Sequence, residues 1–183
     1  MPVYTPEKPE FGMGCPDFTL PATNGKTYSL KDFKNGKPFI VMFICNHCPY
    51  VKAIEDRLIR LGHDLKKHDV NVIAICANDP ISYPEDSFEN LKKRAEEKNY
   101  PFVYLHDESQ SVAKTFGAIC TPDYFVYDGN AKLTYRGRLD DSWKDANLVT
   151  TREMYDAVLE IAAGKPISKP QTPSMGCSIK WIK

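Results

Sequence analysis

A change of hydrophobic period between residues 39 and 75 constrains the fold more than any other feature of the chain. Residues 39–44 are six consecutive apolar residues, a pattern typical of a strand buried on both faces. Across 49–67 the apolar residues recur at steps of three and four, as on one face of a helix, and 70–75 is a second apolar run. This strand–helix–strand order predicts a right-handed crossover between two parallel strands.

Shorter elements surround this unit. Turn signals at 23–25 and 128–130, each flanked by apolar residues, predict two β-hairpins. Further patterns predict a strand at 102–105 and helices at 84–99, 110–116 and 152–163. Together they predict an α/β three-layer sandwich, with a mixed central sheet of about five strands and helices on both faces.

The length and charge of the chain limit what it does. The 183 residues predict an extended arm at 1–14, one domain at 15–164 and a tail at 165–183 packed on its surface. Lys and Arg total 24 and so do Asp and Glu, which gives no indication of nucleic acid or an anionic membrane as a partner. Since the first residues lack the apolar core of a secretion signal and no apolar run approaches ~20 residues, we expect a cytoplasmic protein.

Six cysteines in a reducing cytosol indicate reactive, metal-binding or buried thiols rather than a disulfide framework. Only Cys45 and Cys48 are close in sequence, separated by Asn46 and His47. They stand where the first buried strand ends and the long helix begins, at the positive end of its dipole, which favours a thiolate. A C-x-x-C pair in this setting predicts thiol–disulfide exchange.

The roles within the pair follow from its order in the chain. The first thiol of such a pair is normally the more exposed, so we expect Cys45 to be the nucleophile and Cys48 the resolving thiol. Pro49 predicts that Cys48 lies at the helix cap rather than inside the helix. A protonated His47 would stabilise the reduced pair and so raise its reduction potential. We therefore expect Cys45, Cys48 and His47 to be the catalytic residues, with no cofactor and no metal.

Several segments resemble one known family. The run 43–52, Phe-Ile-Cys-Asn-His-Cys-Pro-Tyr-Val-Lys, is similar to the signature of thioredoxin-like redoxins related to the alkyl hydroperoxide reductase/thiol-specific antioxidant group. The segments 16–20, 121–123, 135–141 and 176–181 resemble that family too. The resemblance implies a thioredoxin-like fold in which Pro122 is the cis-proline beside the cysteines. It also implies that the backbone of Thr121 pairs with an extended substrate.

Other readings of the pair stay open. A zinc site is disfavoured, because Cys45, His47 and Cys48 have no second ligand cluster in the sequence. Peroxiredoxins resemble the chain, and in a thiol peroxidase Cys48 would be the peroxidatic and Cys45 the resolving cysteine. Two residues of their P-x-x-x-T-x-x-C motif are absent, however, since Val41 and Cys45 replace the Pro and the Thr. A redox-sensitive binding or scaffold module and a metal chaperone are further alternatives.

The partners follow from the chemistry. We expect a disulfide- or dithiol-containing protein or a small thiol as substrate, and an external thiol as reductant. Cys120, directly before Thr121, and Cys177, in the tail, are candidate accessory thiols. Burial in the core is the competing interpretation for Cys120, and anchoring of the tail is the competing interpretation for Cys177.

Overall fold

The computed structural model describes the whole chain, Met1–Lys183. Ten strands, β1 to β10, lie at Val3–Tyr4, Thr19–Pro21, Thr27–Ser29, Phe39–Phe43, Asn71–Cys76, Val103–His106, Cys120–Thr121, Asp123–Tyr127, Leu133–Tyr135 and Met175–Ser178. Four α-helices, α1 to α4, lie at Pro49–Lys66, Phe88–Glu97, Ser111–Phe116 and Glu153–Ala162. None of these helices is both long enough and apolar enough to cross a membrane.

The central sheet has five strands in the order β6-β5-β4-β8-β9. Strands β4, β5 and β6 are parallel, while β8 and β9 are antiparallel to their neighbours. Strand β4 is the middle strand, and all five of its residues are buried, as its uninterrupted apolar sequence predicts. The predicted mixed sheet is therefore confirmed, with the crossover helix α1 between the parallel strands β4 and β5.

Successive residues of β4 face two different cores. Ile40 and Met42 pack in a cluster with α1, α2 and α4, whereas Val41 and Phe43 pack in a second cluster with α3 and the β2–β3 hairpin. Helices therefore cover both faces of the sheet, which confirms the three-layer prediction. Burial of apolar residues on both faces holds β4 in the centre of the domain.

Helix α1 follows β4 after a loop of five residues, 44–48. It buries the apolar side that the three- and four-residue spacing predicts, and its buried apolar residues are Val51, Ile54, Leu58, Leu61 and Leu65. Cys48 is its N-cap residue and Pro49 its first residue, so the prediction that Cys48 lies at the cap is confirmed. Burial of this side against the sheet holds the start of α1 at the carboxyl end of β4.

The predicted helix at 84–99 is shorter than expected. A turn of 3-10 helix at Pro84–Asp86 comes first, and α2 begins only at Phe88. Ser87 caps α2 by accepting a hydrogen bond from the Asn90 N–H at 3.3 Å. Because the chain turns before this cap, the Asp86 side chain points inward and is fully buried.

Both chain ends contribute strands beside the main sheet. The tail forms β10, which lies between β1 and β7 in a three-stranded antiparallel sheet. The approach to β7 is close: a Cβ on Gly176 would stand 1.9 Å from the Thr121 carbonyl oxygen, so only glycine fits there. The expectation of a tail lying on the surface is thus incomplete, because one part of it is an inner strand.

Candidate active site

The cysteine pair lies where β4 ends and α1 begins, at the edge of a parallel sheet where functional groups collect. Both side chains are buried: Cys45 is 2% exposed and Cys48 0%. Cys45 is the more exposed thiol of the two, as expected, but only by this small margin. The sulfur of Cys48 accepts no hydrogen bond from the first turn of α1, so the helix acts on it only through its dipole.

Thr121 holds both sulfurs. The Cys45 Sγ lies 3.3 Å from the Thr121 hydroxyl oxygen, and the Cys48 thiol donates to the Thr121 carbonyl at 3.1 Å. The Thr121–Pro122 peptide bond is cis, in agreement with what the family resemblance implies. The structure therefore brings together the four predicted site residues Cys45, Cys48, Thr121 and Pro122.

The neighbours of the two thiols favour a thiolate on Cys48. The Cys45 thiol lowers the pKa of Cys48 most, burial opposes this, and the Thr121 hydroxyl together with the thiol and N–H of Cys177 lowers it further. The pKa of Cys45 is raised, first by its hydrogen bond to Cys48, then by burial and then by the charge of Asp86. The two thiols titrate as a pair, and the opposite directions of their pKa shifts favour the thiolate on Cys48 over one on Cys45.

His47 is joined to a carboxylate that sequence reasoning missed. Its Nδ1 bonds to Asp86 Oδ2, and its ring stacks on Tyr83 with the centroids 4.7 Å apart. Asp86 Oδ1 also accepts the backbone N–H groups of Asn46 and His47, at 2.7 and 3.2 Å. Asn78 donates to Asp86 Oδ2 at 2.9 Å. Asp86 therefore fixes both the loop between the cysteines and the His47 ring, leaving Nε2 as the other polar atom of the imidazole.

One set of side chains here has the composition of a metal site. The ligand atoms of Cys45, His47 and Asp86 all lie within 4.8 Å of one another, so the three groups can bind one metal ion together. The two oxygens of Asp86 already accept four hydrogen bonds, however. A metal ion at this place has to displace some of those donors.

The two candidate accessory thiols have different surroundings. Cys120 is fully buried, its thiol lies 3.5 Å from the Pro122 carbonyl oxygen, and burial raises its pKa. Cys177 lies in β10 directly opposite Thr121 and is partly exposed. It packs against the core cluster that contains Cys45 and Cys48. The backbone edge of Thr121 that the resemblance assigns to a substrate is thus paired here with a strand of the same chain.

A cavity of about 150 Å³ opens beside Pro122. Aromatic residues supply much of its wall, and Tyr50 and Trp143 meet there with ring centroids 4.9 Å apart. The hydroxyl of Tyr124, which also lines the cavity, is buried without a hydrogen-bond partner. The cavity can accept an apolar group that carries one hydrogen-bonding atom.

Comparisons with known proteins agree with this architecture. The model of the AhpC/TSA family matches residues 11–136. The thiol-disulfide oxidoreductase ResA of Bacillus thuringiensis subsp. konkukian is 28% identical over 127 residues, which are 69% of either chain. The chloroplastic peroxiredoxin Q of Populus jackii is 32% identical over 107 residues, 58% of this chain and 46% of that protein.

Solved structures extend the likeness to the whole chain. An uncharacterised conserved protein from Geobacillus kaustophilus has a TM-score of 0.93 and 43% identity, over 100% of this chain and 97% of the other. Thioredoxin domains of lower identity share the fold. The chain therefore belongs to the AhpC/TSA family, and it is an oxidoreductase with a thioredoxin-like fold.

Proposed function

We propose that the protein is a thiol–disulfide oxidoreductase that exchanges disulfides through Cys45 and Cys48. The observation that carries the proposal is the pairing of both sulfurs with one residue, Thr121, at 3.3 and 3.1 Å. This arrangement holds the two sulfurs together at the end of β4, and the neighbours of Cys48, with the Cys45 thiol first among them, lower the pKa of Cys48. A thiolate beside a second thiol is what disulfide exchange requires.

The exchange proceeds in two substitutions at sulfur. The Cys48 thiolate attacks one sulfur of a substrate disulfide, a mixed disulfide forms, and the other substrate sulfur leaves as a thiolate. Cys45 then loses its proton and attacks the Cys48 sulfur, so that the Cys45–Cys48 disulfide forms and the second substrate thiolate leaves. An external thiol then reduces the Cys45–Cys48 disulfide and is itself oxidised to a disulfide. We propose Cys48 as the attacking thiol, in place of the sequence-based expectation for Cys45, because the neighbours of Cys48 lower its pKa while those of Cys45 raise its pKa.

Asp86 and His47 act on this chemistry from the side of Cys45. The carboxylate of Asp86 holds the Asn46 and His47 N–H groups and thereby the loop that sets the separation of the two sulfurs. The same carboxylate holds the His47 ring through Nδ1 and so fixes the imidazole beside the pair. We assign both as positioning residues, because neither carries the exchanged sulfur.

The substrate class follows from the same chemistry. We propose a disulfide- or dithiol-containing protein or a small thiol as partner, with an external thiol as reductant. The cavity beside Pro122, with the neighbouring rings of Tyr50 and Trp143, supports the binding of an apolar group next to the pair. A cytoplasmic location, without nucleic acid or membrane partners, stays part of the proposal.

A thiol peroxidase is the second candidate, favoured by the thiolate on Cys48 at the start of α1. In that reaction the Cys48 thiolate attacks a peroxide oxygen, the O–O bond breaks, and the leaving oxygen takes a proton. The sulfenic acid on Cys48 is then attacked by Cys45, which releases water and gives the Cys45–Cys48 disulfide. The two candidates share the disulfide product and differ in the oxidant.

The test compares variants of the two thiols with a control. Wild type, Cys45→Ser, Cys48→Ser and Cys15→Ser are assayed for reduction of a small disulfide by dithiothreitol and, separately, for consumption of hydrogen peroxide. Cys15 lies against the opposite face of the sheet and serves as the control. We expect Cys48→Ser to abolish disulfide exchange and Cys45→Ser to slow it, because the resolving thiol is then missing. Full activity of Cys48→Ser contradicts the proposal, and faster turnover of peroxide than of disulfide favours the second candidate.

A further inference from the structure

The burial of the pair raises the question of how an external thiol reaches it. Cys45 and Cys48 are 2% and 0% exposed, and the strand edge of Thr121 beside them is covered by β10. The tail covers the pair, and its residue Cys177 is partly exposed. A thiol that contacts both the buried pair and the solvent is placed to transfer a disulfide between them; we call such a thiol a relay.

The register of β10 places the Cys177 side chain on the side of the sheet where Cys45 and Cys48 lie. Cys177 is the direct antiparallel partner of Thr121, and side chains of directly opposite residues lie on the same face of a sheet. The Thr121 hydroxyl on that face contacts the Cys45 sulfur at 3.3 Å. The Cys177 side chain therefore stands on the side of the two cysteines, in agreement with its packing against their core cluster.

The surrounding contacts keep β10 in this register. Gly176 permits the approach of the strand to the Thr121 carbonyl, which any Cβ would block. Ser174 donates from its hydroxyl to the Pro122 carbonyl at 2.9 Å, and β1 pairs with the other edge of β10. The Lys180 N–H, two residues beyond the strand, donates to Asn78, which in turn donates to Asp86. The tail is thus built into the site rather than lying loosely over it.

We propose that Cys177 is the third redox thiol of this centre and passes the disulfide between Cys48 and the solvent. The proposal rests on the exchange function of Cys45 and Cys48. The Cys177 thiolate attacks the Cys48 sulfur of the Cys45–Cys48 disulfide, a Cys48–Cys177 disulfide forms, and Cys45 leaves and takes up the proton that Cys177 gave up. No net oxidation occurs in this step.

The reduction by an external thiol then takes place at the accessible sulfur. Its thiolate attacks Cys177, a mixed disulfide forms there, and Cys48 leaves as a thiolate. A second molecule of the external thiol attacks the external sulfur of this mixed disulfide, which frees Cys177 and yields an oxidised small-molecule disulfide. Cys48 is a good leaving group because the same neighbours that favour its thiolate stabilise it on departure.

The first experiment maps disulfides in the full-length protein. Wild type, Cys45→Ser and Cys45→Ser/Gly176→Ala are equilibrated in an oxidising glutathione buffer, remaining thiols are alkylated, and linked peptides are identified by mass. We expect Cys45→Ser to form a Cys48–Cys177 disulfide. We expect the additional Gly176→Ala change to abolish the Cys48–Cys177 disulfide, because the added Cβ displaces β10. Both variants keep the same five cysteines, so only the position of the strand differs. Cys48 and Cys177 that are both alkylated in Cys45→Ser overturn the proposal.

The second experiment measures reduction of the oxidised protein by glutathione. We expect Cys177→Ser to form the Cys45–Cys48 disulfide as wild type does but to be reduced several-fold more slowly. The matched control is Cys15→Ser, since Cys15 is also partly exposed but packs in the other core cluster. An unchanged rate in Cys177→Ser refutes the relay. Failure of wild type to form the Cys45–Cys48 disulfide refutes the exchange function itself, so the two failures are distinguishable.

Discussion

Replacing Asp86 with Asn removes a charge from the fully buried side chain that joins His47 to the loop of the cysteine pair, while keeping its size. The oxygen of the amide can still accept the N–H groups of Asn46 and His47. The new NH₂ group faces the Asn78 amide donor, which now bonds to Asp86 at 2.9 Å. Asn78 cannot turn over without cost, because its own oxygen accepts the Lys180 N–H at 2.8 Å.

The expected loss of stability is the sum of two effects. Two donors facing each other leave a buried polar group unsatisfied, which costs about 1–3 kcal/mol. The bonds that survive lose the assistance of the charge, about 1 kcal/mol more. We therefore expect Asp86→Asn to lower the free energy of unfolding by about 2–4 kcal/mol, which at an m-value near 2 kcal/mol/M is a fall of about 1–2 M in the urea midpoint.

The assay is urea unfolding of the reduced protein, followed by tryptophan fluorescence and by circular dichroism. Asp56→Asn is the matched control, because Asp56 is exposed on α1 and its replacement is expected to stay within about 0.5 kcal/mol of wild type. A midpoint for Asp86→Asn equal to that of the control refutes the argument that Asp86 organises the loop.

Three further predictions concern the pair and its support. His47→Pro is expected to lower the reduction potential in a glutathione titration, since it removes an imidazole whose charged form stabilises the dithiol; an unchanged potential contradicts this. Arg136→Leu leaves the fully buried Asp123 without its ion-pair partner, so we expect a loss of about 3–5 kcal/mol in urea unfolding, and a loss below 1 kcal/mol argues against it. Because its neighbours hold the pKa of Cys48 below the usual thiol value, Cys48 alkylation is expected to change little from pH 7 to 9. In Cys45→Ala, which lacks the main cause of that lowering, the rate is expected to rise with pH over this range; equal profiles contradict the assigned hydrogen bond.

Sequence alone predicted the parts of the fold that local patterns determine. The uninterrupted apolar run of β4 and the helical spacing of α1 place the cysteine pair at a strand end and a helix start, and the structure has them there. Burial of such patterns dominates the folding free energy, so they are visible in one segment at a time.

What sequence could not predict depends on contacts between distant segments. Asp86 is one acidic residue among several at 85–89, and only the inward turn before α2 distinguishes it. Strand β10, Met-Gly-Cys-Ser, has neither the alternation nor the β-branched residues of a typical strand. Strand β10 pairs with β1, which lies at the opposite end of the chain, and with β7, which lies between the two. Thr121 and Cys177, which add to the lowering of the Cys48 pKa, likewise lie far from the pair in sequence.

The most direct test of the central claim is a redox titration of the wild-type protein against graded glutathione buffers, with alkylation and mass mapping of every cysteine. We predict a reversible loss of two thiols, with a disulfide between Cys45 and Cys48 as a product and Cys15 and Cys76 modified alike in all buffers. A pair that stays reduced in the most oxidising buffer, or a disulfide that involves neither Cys45 nor Cys48, would contradict it.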